Sequence, residues 1–218
     1  MGPTSLPDPF YLIIVLALLT LAPFVAVMIT SFIKMVVVFS LIRNALGIQQ
    51  IPPNMVINGL AIILTFYVMS PVGQEVFDRV REIDTSTANL VMLEDLVEEA
   101  RKPVQAFLKE HSHDDQRLFF LRSAQKIWPE EKARDLQSDD LTVLVPSFAV
   151  SELTSAFEIG FLLYLPFIAI DLIVANVLMA MGMMMVSPMT ISLPFKLLLF
   201  VLLDGWTRLI HGLVLTYQ

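Results

Sequence analysis

At 218 residues, 56% hydrophobic and only 16% charged, with a mean hydropathy of +0.72, the chain is too apolar for an ordinary soluble domain and reads as a membrane-class protein. A net charge of −7 argues against nucleic acid as a partner, because neutralising phosphates needs a basic face that is missing. The absence of cysteine excludes disulfides and thiolate metal sites.

Charge is also unevenly placed. Residues 73–145 hold ten Lys/Arg and sixteen Asp/Glu, 26 of the 35 charged residues in a third of the chain. The expected organisation is therefore hydrophobic helices over 1–72, a polar helical extracytoplasmic insertion over 73–145, and a hydrophobic helical hairpin over 146–218. The fold class is all-α, with long hydrophobic helices and kinked or broken hairpins.

The first apolar run, Phe10 to Thr30, has the roughly twenty residues needed to cross a bilayer. It reads as a retained helix: the first basic residue is Lys34, so the positive start of a cleavable signal is lacking. Pro23 lies within it and could kink it. Ser31 to Asn54 reads as an extension of that helix, ended by a turn at Gly47-Ile48-Gln49-Gln50-Ile51-Pro52-Pro53. Met55 to Val72 is the second run, expected to stop at Pro71 and Gly73. The connection between the runs carries Lys34 and Arg43 and no acid, which places it in the cytoplasm and the 73–145 insertion outside.

In the insertion, Leu90, Leu93, Val97, Ala100, Val104 and Phe107 recur at helical spacing after the turn and cap residues Asp84, Thr85, Ser86 and Thr87. Pro103 is expected to bend or divide that helix. A second stretch sets Leu118, Leu121 and Trp128 on one face and ends at Pro129. His111-Ser112-His113-Asp114-Asp115 superficially resembles a metal cluster, but in a charged run between helices it reads as a solvated loop.

The last third carries most of the information. Phe161 to Val186 is apolar, yet contains Pro166, Asp171 and Asn176. Beyond Ser187-Pro188 only Ile191 to Leu203 is free of acids, and thirteen helical residues rise only about 20 Å against a hydrocarbon core of about 30 Å. Either this helix continues past Asp204 and Arg208 buried in protein, or the pair forms a hairpin within an assembly. Glu152, Glu158, Asp171, Lys196, Asp204 and Arg208 should therefore face partners or water, since an ionisable group in lipid costs several kcal/mol. Asp204 and Arg208, four apart, could pair on one helical face. Interhelix or intersubunit contact is preferred over a proton relay for this set.

Six of the twelve methionines, Met179, Met181, Met183, Met184, Met185 and Met189, fall within eleven residues at a break marked by Gly182 and Pro188. Methionine fills irregular cores, but Met183 to Met185 are consecutive and point in different directions on any helix, so one packed face cannot absorb them. Core filling and the seal of a wide pore both stand on the residues alone, since apolar constrictions gate by dewetting.

The stretch Pro146-Ser147-Phe148-Ala149-Val150-Ser151-Glu152-Leu153, with Ala156-Phe157-Glu158-Ile159-Gly160-Phe161, resembles the first signature of the SctR/FliP family of type III secretion export-apparatus proteins. Pro166-Phe167, Ile170-Asp171-Leu172, Met181-Gly182-Met183-Met184-Met185, Pro188 and Leu193-Pro194-Phe195-Lys196-Leu197 resemble the second. The likeness extends over essentially the whole chain, including Arg43-Asn44-Ala45-Leu46-Gly47, with Ser147 where the signature has alanine. The apparent lack of a cleaved signal, and the ending Asp204-Gly205-Trp206-Thr207-Arg208-Leu209, favour the injectisome SctR branch over flagellar FliP.

The resemblance implies a non-enzymatic subunit of the bacterial inner membrane. It implies a pentameric homo-oligomer, staggered as a spiral with SctS and SctT homologues, raised toward the periplasm and joined to other export-apparatus and basal-body components. Unfolded secreted proteins would pass through it. The family's methionine gasket carries over onto Met183, Met184 and Met185, with Met181 and Met189 flanking, and Glu152, Glu158, Asp171 and Lys196 match motif positions as helix or subunit contacts. A proton-coupled small-solute transporter using Asp171 and Lys196, or a pure scaffold, are the rival classes; the former is disfavoured because no internal repeat is seen. No nucleophile–base pair, phosphate loop or metal spacing appears, so neither catalysis nor a cofactor is expected.

Overall fold

The computed structural model describes residues 9–48, 50–82 and 90–218. Among these every regular element is a helix: α1 Pro9–Met28, α2 Phe32–Ala45, α3 Asn54–Arg81, α4 Leu90–Glu110, α5 Asp114–Ile127, α6 Glu130–Arg134, α7 Leu141–Ala180, α8 Pro188–Leu202 and α9 Gly205–Leu215. Gln49 and the expected cap residues Asp84, Thr85, Ser86 and Thr87 lie outside the described residues, as do the side chains of Leu90 and Leu93. The all-α class holds. Among the described residues α3 and α7 are each long and apolar enough to cross a bilayer, and α8 with α9 forms a third candidate span bent by 60°.

The centre of the fold is α2. It is a separate helix after a break at Thr30–Ser31 rather than the expected extension of α1. Met35, Val38, Phe39, Ile42 and Ala45 are all at most 2% exposed, packed with Ile57 and Ala61 of α3, Ala156 and Phe167 of α7, Phe200 of α8, and Leu209 and Leu213 of α9. A helix apolar on nearly every side is stable only when surrounded, which is what α7 and the returning α8–α9 pair provide. The approach of α2 to α7 is close enough that a Cβ on Gly160 would lie 2.2 Å from Leu41 Cδ1 and 3.2 Å from its Cβ. At the other end Gly47, with φ +75°, turns the chain out of α2. Arg43 pins that turn through Asn54 Oδ1 at 2.6 Å and the Pro52 carbonyl at 3.3 Å.

Prolines do not end these helices. The stop expected at Pro71 and Gly73 is absent, because α3 continues to Arg81; Pro103 does not divide α4; and α7 runs forty residues through both Pro146 and Pro166. An internal proline costs about 3 kcal/mol in an isolated helix. Around Pro146 the neighbours Val143, Leu144, Ser147 and Phe148 are at most 1% exposed. Burying both sides of the proline against common partners holds the axis together. Residues 72/73 and 145/146, where charge density changes, therefore both fall inside continuous helices.

At about 1.5 Å per residue α7 is roughly 60 Å long, twice a hydrocarbon core. Its first third carries the polar helices: Phe107 and Leu108 of α4 pack on Leu144 and Phe148, with the Phe107 and Phe148 rings 5.6 Å apart. Lys109 reaches Asp139 Oδ2 at 2.5 Å, and Gln105 donates to the Asp139 carbonyl. The His111–Asp115 run is, as expected, a connection between helices with His113, Asp114 and Asp115 exposed, but its first two residues are packed. Ser112 is 6% exposed, the His113 N–H donates to Ser151 Oγ at 2.9 Å, and the His111 ring lies tilted against both Phe107 and Tyr217. Of the face expected in the second stretch, Leu118 on α5 is exposed and Leu121 half-buried, while Trp128 lies exposed just past the helix end.

Candidate functional site

The methionines sit at the turn between α7 and α8. The break expected at Gly182 and Pro188 is present, and its backbone is closed rather than loose. The Met183 N–H donates to the Leu178 carbonyl at 2.9 Å and the Gly182 N–H to the Met179 carbonyl at 3.0 Å, with Gly182 at φ +73°. This pair of bonds is the Schellman ending, and it needs a residue that tolerates left-handed backbone. Val186 N–H then bonds the Met183 carbonyl, and Pro188 opens α8 at its first turn, where its missing N–H is harmless. Met183 to Met185 thus lie on turns, not on a helix.

From this tip the side chains point away from the chain. Met184 is 85% exposed and Met185 fully so, and Met179, Met181, Met183 and Met189 are exposed as well. Core filling within one chain is excluded for all six. Large apolar side chains held outward on a hydrogen-bonded turn form a patch whose cover, if any, comes from other molecules.

Below the tip a buried cluster ties the hairpin to α2. Lys196 of α8, 3% exposed, donates to Asp171 Oδ2 of α7 at 2.6 Å and to the Ala45 carbonyl at 3.1 Å. That carbonyl belongs to the last turn of α2, which lacks intrahelical donors and carries the negative end of the helix dipole. Ser192 donates to Asp171 Oδ1 at 2.5 Å. Asp171 and Lys196, both singled out from sequence, are therefore partners of each other within one chain.

Glu152 is the second buried charge, 1% exposed on α7. Lys34 meets it at 2.8 Å, Tyr217 donates its hydroxyl to it, and the Lys34 ammonium lies 4.2 Å from the Tyr217 ring centroid. Burial, reinforced by the Glu152 charge, raises the Tyr217 phenol far above its ordinary range, so it remains a donor. Lys34 is accordingly no free loop charge. The cytoplasmic placement of residues 31–54 loses one of its two votes, and Arg43, the other, is bonded to the α2–α3 turn.

Three sequence candidates are not drawn into these clusters. Glu158 is exposed and forms no intrachain ion pair among the described residues. Asp204 and Arg208 do not pair as expected: Asp204 is the left-handed residue, φ 51°, at the break before α9, so the two do not share a helical face, and both are exposed. The alternative of one helix continuing past them fails for the same reason. Among the described residues no three His, Asp or Glu side chains converge on a site fit for a metal ion.

Sequence reasoning missed Lys34, Ser192 and Tyr217. Lys34 carried a usable signal, since a charge amid apolar helix predicts a buried partner as readily as it predicts topology. Ser192 stands one turn before Lys196. Tyr217 lies 65 residues from Glu152, beyond any local pattern.

Comparison with known proteins accords with this arrangement. The Yop proteins translocation protein R of Yersinia pestis is 60% identical over 213 residues, covering 98% of each chain. The hypersensitivity response secretion protein HrcR of Ralstonia nicotianae is 52% identical over 209 residues, covering 95% of this chain and 96% of its own. The virulence protein YscR of Salmonella typhimurium is 47% identical over 215 residues, covering 98% of this chain and all of its own. The FliP family profile matches residues 15–213, and with relatives this similar along nearly their full length, the chain belongs to the FliP family.

Proposed function

We propose that this protein is a pore subunit of a type III secretion export apparatus in the bacterial inner membrane, non-enzymatic and multi-pass. In this reading, copies of the chain assemble as a pentamer with SctS and SctT homologues, and unfolded proteins pass along the axis. The relatives named for Yop translocation and hypersensitivity response secretion support the injectisome branch over the flagellar one. Long helices carrying apolar surface that the single chain leaves exposed, including Phe157, Phe161, Leu162 and Ile173 of α7, support assembly with neighbours.

The observation that carries the reading is the methionine tip. Met183, Met184 and Met185, flanked by Met181 and Met189, project exposed from an ordered turn, away from the core formed by the described residues. Thioether side chains with three soft torsions close against one another at rest and part around an extended polypeptide with little strain. An apolar ring of this kind blocks ions by dewetting. Movement of the substrate is driven elsewhere, and the tip acts passively.

The test is the triple replacement Met183→Ala, Met184→Ala and Met185→Ala in the assembled complex. Ion leak is expected to rise while secretion is at least partly retained. Unchanged conductance in a complex of normal composition refutes the gasket assignment.

A further inference from the structure

From Leu172 to Ile191, the only buried residue is Leu178, 8% exposed. The upper part of the α7–α8 hairpin therefore stands out from the rest of the chain with almost no intrachain packing to fix its place. What fixes it lies at its base. Asp171 is three turns below the Schellman ending of α7, and Ser192 and Lys196 lie on the second and third turns of α8. Asp171 binds both at once, one oxygen to each, and Lys196 spends a further proton on the end of α2. The Ser192 oxygen also lies 3.2 Å from the carbonyl of Met189, the flanking methionine.

We propose that Asp171, Ser192 and Lys196 are positioning residues of the gate: a half-buried clasp that sets the register of α7 against α8, and the height of both on α2, and so aims the methionine tip. The inference rests on the pore reading given above. An apolar hairpin slides easily along its partner, because dispersion contacts at one register resemble those at the next. A charge-assisted bond does not slide, since its geometry admits one alignment. The carbonyl of Ala45 makes the alignment absolute, because α2 is the best-buried helix in the fold.

A clasp that aims the tip predicts a leak without any change to a methionine. The experiment measures ion leak per assembled export complex, with assembly quantified separately, for Asp171→Asn, Lys196→Met, Ser192→Ala, the methionine triple, and Asp171→Asn combined with that triple. Asp171→Asn is expected to raise the leak per complex roughly tenfold, because stranding the buried Lys196 ammonium exceeds the 1.4 kcal/mol that a factor of ten represents, and Lys196→Met to raise it less, because the Asp171 carboxylate it leaves is 30% exposed. Ser192→Ala is expected to raise it less, and Asp171→Asn to add little to the methionine triple, since both act through the same tip. A residue that only stabilised the fold would lower the number of complexes and leave the leak of each unchanged.

The inference is overturned if the methionine triple leaks while Asp171→Asn and Lys196→Met assemble and conduct as the parent does, or if the combined variant leaks as two independent defects would. Should both charge variants fail to assemble, Ser192→Ala, which keeps the ion pair, decides by the same measure. If the triple itself does not leak, the pore reading falls and the positioning role falls with it.

Discussion

Replacing Lys34 by methionine isolates the energetics of the buried charge at the heart of the fold. The two side chains of the Lys34–Glu152 pair are only 5% and 2% exposed, and they meet at 2.8 Å. Methionine keeps the apolar stem and removes the ammonium, so little packing is lost. Glu152 is then left buried with the Tyr217 hydroxyl as its remaining donor among the described contacts. Breaking a buried pair on one side costs about 3–5 kcal/mol, whereas an exposed pair is worth about 0–1 kcal/mol. The expected loss is in the upper range, and Lys34→Met combined with Glu152→Gln is expected to recover much of it, because no uncompensated charge remains. The assay is a double-mutant cycle on equilibrium unfolding in mixed micelles, followed by the fluorescence of Trp128 and Trp206. A loss below about 1 kcal/mol for the single replacement, or a double variant as unstable as the sum of both singles, refutes the assignment of a dry, coupled pair.

Two further outcomes follow from contacts elsewhere. Gly160→Ala sets a methyl group against Leu41, whose Cβ and Cγ as well as its tip lie within 3.3 Å, so α2 and α7 must part slightly; about 1–3 kcal/mol of destabilisation is expected, with Leu41→Ala restoring part of it in a combined unfolding measurement. Hydrogen bonding by Lys109 holds the Asp139 carboxyl below its usual range, so its folded value lies under the unfolded value near 3.9; this stabilisation is present above that value and is lost as pH falls through the lower one. Amide exchange in α4, corrected for the intrinsic rate, is expected to accelerate below about pH 4 in the parent and to show no such step in Asp139→Asn.

Much of the architecture was readable because apolar runs of bilayer length admit few structures other than helices. The turn at Gly182 and Pro188 was readable for a similar reason: both residues have backbone preferences that mark a helix end and a helix start. The prolines at 71 and 103 misled, since a helix in a membrane-class chain runs through proline wherever water or neighbouring groups satisfy the freed carbonyl. The Asp204–Arg208 pair failed because spacing of four means proximity only on an unbroken helix. Asp204-Gly205 is itself a turn dipeptide, and that signal was there to be used. Asp171 and Lys196 were marked as charges needing partners, but that each is the other's partner depends on α8 folding back along α7. Ser147, the residue that departs from the family signature, is fully buried and donates to the Val143 carbonyl at 2.5 Å, so its hydroxyl is satisfied within its own helix.

The contact of Lys34 with both Glu152 and Tyr217 sets an order on how the protein is made. Translation at about 5–20 residues per second separates the emergence of Lys34 from that of Tyr217 by roughly ten to forty seconds. Throughout that interval α2 carries an ammonium group on a greasy helix whose counter-ion has not yet left the ribosome, or has arrived without its phenol. The segment must wait at the lipid headgroups or in the care of the insertion machinery. Helix α2 is thus made well before the contacts that settle it are complete, and a chain cut short before Tyr217 keeps a buried carboxylate lacking one of its donors.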